Sequence, residues 1–197
     1  MARVVAAAEP DHSASDWLEP VVRAALAREP QGWSRPVLVV RVDQQRLYVW
    51  ENGKVVATFP ISTAERGTGN QDGSLQTPLG LHRVARRIGD GVPCGTIFRG
   101  RVPTGQVAPI LREPGASSAT DAITSRILWL EGLEPGRNHG GSVDSFARYI
   151  YLHGTDEEGR IGTPASHGCI RLRNQDMIAL FARVPLNSLV EILETFR

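Results

Sequence analysis

Between Pro36 and Ser62 apolar side chains recur at every second residue, and that period excludes a helix for the opening of the main domain. Val37 to Asp43 is apolar enough for a central strand, and Gln44-Gln45 turns it. Arg46 to Trp50 alternates, with Leu47 and Val49 on one face. Asn52-Gly53 follows, a pair that tolerates the two positive φ angles of a tight hairpin. Val55 to Ser62 returns with Val55, Ala57, Phe59 and Ile61 on one face. Three strands in meander order begin an antiparallel sheet.

With 20 glycines and 13 prolines the rest of the chain favours turns over long helices. Residues 63–79 read as a loop ending in Thr77-Pro78-Leu79-Gly80, and 81–87 as a strand. Residues 88–122, dense in Gly and Pro, read as one irregular stretch, a lid or a binding wall. Strands are expected at 123–130, 147–153 and 189–193. Asn174 looks like the N-cap of a helix over 175–182 that buries Met177, Ile178, Leu180 and Phe181. Upstream, residues 1–35 read as a helical appendage to a domain spanning 36–197. Ser13 or Ser15 would cap a helix from Asp16 to about Arg28, with Trp17, Leu18, Val21, Val22, Ala25 and Leu26 on its apolar face and Pro30 and Gly32 ending it.

A formal charge of +1 leaves no field for a polyanion, which argues against nucleic acid as partner. No stretch approaches the roughly 18 apolar residues of a membrane span. Two cysteines cannot build a disulfide framework or a four-thiolate zinc site. At the N-terminus Met1-Ala2-Arg3 is followed by five apolar residues and then Glu9-Pro10-Asp11-His12, short of the roughly 7–15 residues of a secretory core. The expectation is a cytoplasmic protein; the alternative is a periplasmic one whose export signal is missing from this chain.

The segment that carries chemistry is Tyr149 to Thr155 followed by Ser166 to Leu172. A free thiol is only a few per cent ionised at neutral pH, so a nucleophilic cysteine needs an imidazole nearby. Cys169 has His167 two residues before it and His153 sixteen before. Gly168 leaves the backbone unobstructed, so the amides of Gly168 and Cys169 could face a carbonyl oxygen. Two other readings stand beside this one. Cys169 could be a small buried apolar residue, or His153, His167 and Cys169 could ligate a metal, although the spacing matches no zinc pattern and a fourth ligand is not obvious. Cys94, in the irregular stretch, reads as a structural thiol; a disulfide to Cys169 would abolish the nucleophile.

His153, the twelve residues from Gly154 to Ala165, and then SHGCIRL together resemble the signature of the L,D-transpeptidase (YkuD) catalytic domain. The opening VLVVRVDQQRLYVWENGKVVATFPIST resembles that domain's first hairpins, and TPLG its characteristic turn, so the resemblance covers about residues 36–193. It implies a mainly β fold, a mixed β-sandwich with small peripheral helices. It implies Cys169 as the acyl-accepting nucleophile and His153 as the general base, oriented by the carbonyl of Gly154. Ser166, His167 and Gly168 would shape the oxyanion site, with His167 in a supporting role. Arg171 could hold a substrate carboxylate, with a surface or sheet-edge charge as the other reading; Arg126 and the Arg137-Asn138 pair are weaker candidates. The mechanism implies no cofactor and no metal.

The family acts on peptidoglycan stem peptides. The thiol attacks the carbonyl of the L-centre of diaminopimelate, D-alanine leaves, and a thioester remains for an acceptor. The export reading and the likeness of Ile127 to Asn138 and of SFARYIYLHGT to signal-less members favour water as acceptor. The expected activity is thus an L,D-carboxypeptidase that trims murein tetrapeptides in recycling. The alternatives are an L,D-transpeptidase forming cross-links and a non-catalytic murein-peptide binding module. A β-lactam such as a carbapenem is expected to acylate the same thiol.

Overall fold

The computed structural model describes residues 15–28 and 35–195. The elements run α1 (Ser15–Arg28), β1 (Val37–Arg41), β2 (Arg46–Glu51), β3 (Lys54–Pro60), β4 (Gly80–Ile88), β5 (Thr96–Arg99), β6 (Val102–Val107), β7 (Ile123–Gly132), β8 (Tyr151–Thr155), β9 (Ile170–Leu172), α2 (Asn174–Arg183) and β10 (Leu189–Leu193). One mixed sheet carries the order β3-β2-β1-β10-β4-β7-β5-β6, and β8 and β9 branch from β7. The pairs β1–β10 and β8–β9 are parallel, and the remaining pairs are antiparallel.

The period-two pattern explains how this sheet covers itself. Leu38, Val40, Leu47, Val49, Ala57 and Phe59 from β1–β3 share one core with Leu128, Leu130, Leu152, Ile170 and Leu172 from β7–β9. The two ends of the sheet therefore face each other across a common interior, which Met177, Leu180 and Phe181 of α2 help fill. The alternate residues of β1–β3, Val37, Val39, Tyr48, Trp50 and Val55, point outward and are covered by Leu18, Val21, Val22 and Ala25 of α1. On the β7–β8 side the outward residues Ile127, Trp129 and Tyr151 form a third cluster with Phe98, and Cys169 packs on it.

The first hairpins form where the alternation places them, and Asn52 and Gly53 take φ of 50° and 79° in the turn. Three local expectations give way. Residues 88–122 are not wholly irregular: Arg99 pairs with Val102 around Gly100-Arg101, so β5 and β6 form a hairpin whose second strand is exposed throughout. The strand expected at 147–153 begins only at Tyr151, because Tyr149 sits at φ 58° and Arg148 N–H turns back to Asp144 O. Asn174 does not cap α2. It is the helix's first residue, and its amide joins α2 to β7 and β8, accepting from Thr124 Oγ1 (2.7 Å) and donating to Thr155 O (2.8 Å). Ser13, Pro30 and Gly32 lie outside the described residues. Among those described, no helix is long and apolar enough to cross a membrane.

Candidate active site

Parallel pairing of β8 and β9 sets Leu152 opposite Ile170 and His153 opposite Arg171. Leu152 and Ile170 go into the main core, so Tyr151, His153 and Arg171 share the outward face. Cys169, one residue before β9, packs on the cluster that contains Tyr151, on that same face. The strand register thus brings the histidine and the cysteine, sixteen residues apart, onto one surface.

His153 is buried, and its Nδ1 lies 2.7 Å from Gly154 O. A carbonyl can only accept, so the neutral ring carries its proton on Nδ1 and leaves Nε2 with a lone pair. Burial pulls the imidazole below its ordinary range, which keeps it neutral near pH 7. Residue 154 must be glycine for this clamp: a Cβ there would stand 2.7 Å from Asn174 Oδ1 and 2.9 Å from Thr124 O.

Cys169 is half-buried, and Cys94 and Cys169 are both free thiols. Desolvation pushes the Cys169 thiol up to about 12, against smaller downward pulls from the Tyr151 amide, Arg171 and Arg148. At rest Sγ donates to Tyr149 O at 3.4 Å, and no hydrogen bond among the described residues joins it to His153. Desolvation thus favours the neutral form of both the thiol and the imidazole, and the thiol's hydrogen bond goes to Tyr149 O.

The turn before the cysteine is stapled from two sides. Ser166 Oγ donates to Cys169 O at 2.6 Å and accepts from Gly168 N at 3.2 Å. Thr77 Oγ1, from the TPLG turn, donates to Gly168 O at 3.1 Å. Gly168 holds φ at 129°, a conformation that favours glycine. The expected pair of oxyanion donors is thereby reduced. The Gly168 amide is spent on Ser166, whereas the Cys169 amide has no partner among the described residues.

Arg171 departs from the expectation of a carboxylate clamp. It is fully buried, and its Nη1 donates to Asp121 Oδ1 (2.5 Å) and Glu157 Oε2 (2.8 Å) while Nη2 donates to Ser62 Oγ (3.2 Å). Its charge is spent inside the protein, so it is neither a substrate ligand nor a surface charge. Arg126 is corrected likewise. It is buried, donates to Val92 O and Ser125 O, and lies over Phe181 of α2, on the side of β7 away from Cys169. Arg137 pairs with Glu134, and the buried Asn138 donates to Leu79 O and Leu81 O, so both tie loops. Cys94 is exposed and accepts from Gln175 Nε2 at 3.3 Å, on the protein surface.

Two residues that sequence reasoning passed over complete the site. Asp121 spans two groups, with Oδ1 on Arg171 and Oδ2 3.1 Å from Nδ1 of the exposed His167. Burial raises its carboxyl, but Arg171, His153 and His167 outweigh that and hold it below the usual carboxylate range. Arg148, half-buried, fixes the 69–76 loop through Gly69 O, Asn70 O, Ser74 Oγ and Gln76 O, and its charge reaches Cys169. No sequence signal marks Asp121, which meets its partners across 46 and 50 residues; Arg148 stands five residues before His153, in a segment read as plain strand.

Two clefts flank Asp121, one of about 320 Å³ bordered by Ser118, Glu157, Arg160 and His167, the other of about 260 Å³ bordered by Ile97, Phe98, Arg99 and Ile123. Among the described residues, no three His, Cys, Asp or Glu side chains gather as a metal-binding group.

The family profile of the L,D-transpeptidase catalytic domain, YkuD, matches residues 35–192. The chain is 45% identical over 161 residues to the probable L,D-transpeptidase ErfK/SrfK of Escherichia coli K12, covering 81% of this chain and 44% of that protein. It is 28% identical over 163 residues to the probable L,D-transpeptidase YcfS of the same organism, covering 82% of this chain and 45% of that one. The chain thus spans under half the length of these curated relatives. Among solved structures it resembles L,D-transpeptidase 3 of Mycobacterium tuberculosis in complex with a faropenem-derived adduct, with a TM-score of 0.51 and 16% identity over 81% of this chain and 60% of that one. Bd1075 of Bdellovibrio bacteriovorus gives a TM-score of 0.51 and 18% identity over 85% of this chain and 50% of that one. At these identities the likeness is one of fold.

Proposed function

The chain belongs to the YkuD family of L,D-transpeptidase catalytic domains, and on that premise we propose that it is a cysteine acyltransferase of peptidoglycan stem peptides, with Cys169 as nucleophile and His153 as base. The observation that carries the reading is the bond from His153 Nδ1 to Gly154 O, which leaves Nε2 unprotonated on the face that holds Cys169. Nε2 takes the thiol proton as Sγ attacks the carbonyl of the diaminopimelate L-centre. The Cys169 amide faces the developing oxyanion. Collapse expels D-alanine, whose amine recovers the proton from Nε2, and leaves a thioester on Sγ. His167 and Asp121 support the loop and do not take the proton in transit.

The thioester then passes to water or to an amine. Hydrolysis asks for no group beyond Nε2 to activate the water, and it gives the L,D-carboxypeptidase expected from the sequence, acting on soluble muropeptides of murein recycling in the cytoplasm. Transfer to an amine of a second stem peptide is the other reading, favoured by the relatives, which are named probable L,D-transpeptidases. We also assign to Cys169 the capacity to be acylated by a penem or carbapenem, as the faropenem-derived adduct of the mycobacterial neighbour suggests.

A disaccharide tetrapeptide tests the proposal. The enzyme should release D-alanine, and Cys169→Ala should release none; retained release in that variant rejects the nucleophile. Adding a D-amino acid in excess separates the acceptors. Tripeptide as the main product supports hydrolysis, and exchange of the terminal residue supports the transferase. Detection of the native protein in cell fractions decides the compartment.

A further inference from the structure

The hairpin between β5 and β6 turns on two residues, Gly100 and Arg101, with φ of 54° and 71°. Two positive φ angles between paired residues Arg99 and Val102 describe a type I′ turn, whose second position is ordinarily glycine or asparagine. An arginine there is strained, because its Cβ crowds the carbonyl in the left-handed region. Strain of this kind at a site's edge invites the question of what the side chain does.

Arg101 does not extend into solvent. Its guanidinium lies over Trp129 (5.1 Å to the ring centroid) and Tyr149 (5.0 Å), with Nη1 3.5 Å from Tyr151 Oη. Tyr149 is the residue whose carbonyl receives the Cys169 thiol, and Tyr151 belongs to the cluster on which Cys169 packs. The guanidinium thus lies over the aromatic cluster on which Cys169 packs. Its remaining N–H groups have no partner, and no carboxylate pairs with it, among the described residues. The other two arginines near Cys169 are spent, Arg171 on Asp121 and Glu157, Arg148 on the 69–76 loop. Arg86 lies over Trp129 and Phe146.

We propose that Arg101, held by a strained turn over the aromatic rings beside Cys169, binds a carboxylate of the donor peptide and so selects donors that carry one. A guanidinium stacked on ring faces keeps its planar donor edge free, and that edge fits a carboxylate with two parallel hydrogen bonds. The inference rests on the stem-peptide reading above and deepens it. It moves to Arg101 the carboxylate contact expected from the sequence at Arg171.

Three donors test it: a tetrapeptide with free carboxylates, the same peptide amidated at its C-terminus, and the same peptide amidated at the diaminopimelate side chain. Arg101→Gly suits the turn, so its melting temperature should equal or exceed that of the parent. Its kcat/KM on the free peptide should fall about tenfold to a hundredfold, as expected for a lost charge-assisted contact. Arg101→Lys should recover part of it. On the donor whose recognised carboxylate is amidated, parent and Arg101→Gly should differ less than about twofold, and that donor identifies the carboxylate bound. Equal kcat/KM of parent and variant on the free peptide overturns the proposal, as does an equal loss on all three donors. A parent enzyme inert on all three overturns the stem-peptide reading itself and this inference with it. Asn, which tolerates the left-handed region, serves in place of Gly should the glycine variant fail to fold.

Discussion

His153 carries its proton on Nδ1 because Gly154 O can only accept, and the proposed base role rests on this one bond. Replacing His153 with Gln removes the base, and turnover should fall about 10²–10⁴-fold with folding retained. The pH profile carries the sign of the mechanism. Burial holds His153 below its ordinary value of 6.5, and the thiol is pushed up to about 12. Activity requires neutral His153, so the acid limb of acylation, followed by single-turnover mass measurements, should have its midpoint below pH 6.5. A midpoint above 6.5 would contradict a base whose burial lowers it. Cys169 and His153 were legible in the sequence because a short motif encloses both. The burial of Arg171 was not, since the partners that bury its charge, Asp121 and Glu157, lie 50 and 14 residues away.

At the scale of elements, β8 and β9 are short strands that do one thing, which is to present alternate residues to the core and to the site. Gly154 sits where β8, β7 and α2 converge. Gly154→Ala should cost about 1–3 kcal/mol, the usual range for overpacking, and should lower activity further by displacing the carbonyl that orients His153; denaturant midpoints and D-alanine release measure the two parts. The alternation in β1–β3 and the Asn52-Gly53 turn were readable because local chemistry specifies them. The β5–β6 hairpin was hidden because its turn carries Gly-Arg and its second strand buries nothing, leaving no hydrophobic period to read. Three-residue β9 is too short for a period and exists through its parallel pairing with β8.

Across the whole molecule, stability should depend on pH through a histidine that takes no part in the proposed chemistry. His82 is fully buried, donates from Nδ1 to Gly80 O (2.9 Å) and accepts at Nε2 from Ser145 Oγ (2.9 Å). Burial lowers it to about 4. Between 6.5 and about 4 the unfolded chain binds a proton that the native state refuses, so stability present above 6.5 is lost as pH falls through that window. Going from pH 7 to 5 should cost about 2 kcal/mol from this residue, seen as a lower denaturant midpoint that His82→Gln flattens. The sheet that buries His82 also sets Cys169 and His153 on one face, where the acyl-enzyme would form. The most direct measurement is the intact mass of the enzyme quenched during turnover of a tetrapeptide. An adduct equal to the tripeptide acyl group is expected, mapped to Cys169 and absent from Cys169→Ala. D-alanine release with no adduct at any time, or an adduct that persists in Cys169→Ala, would contradict it.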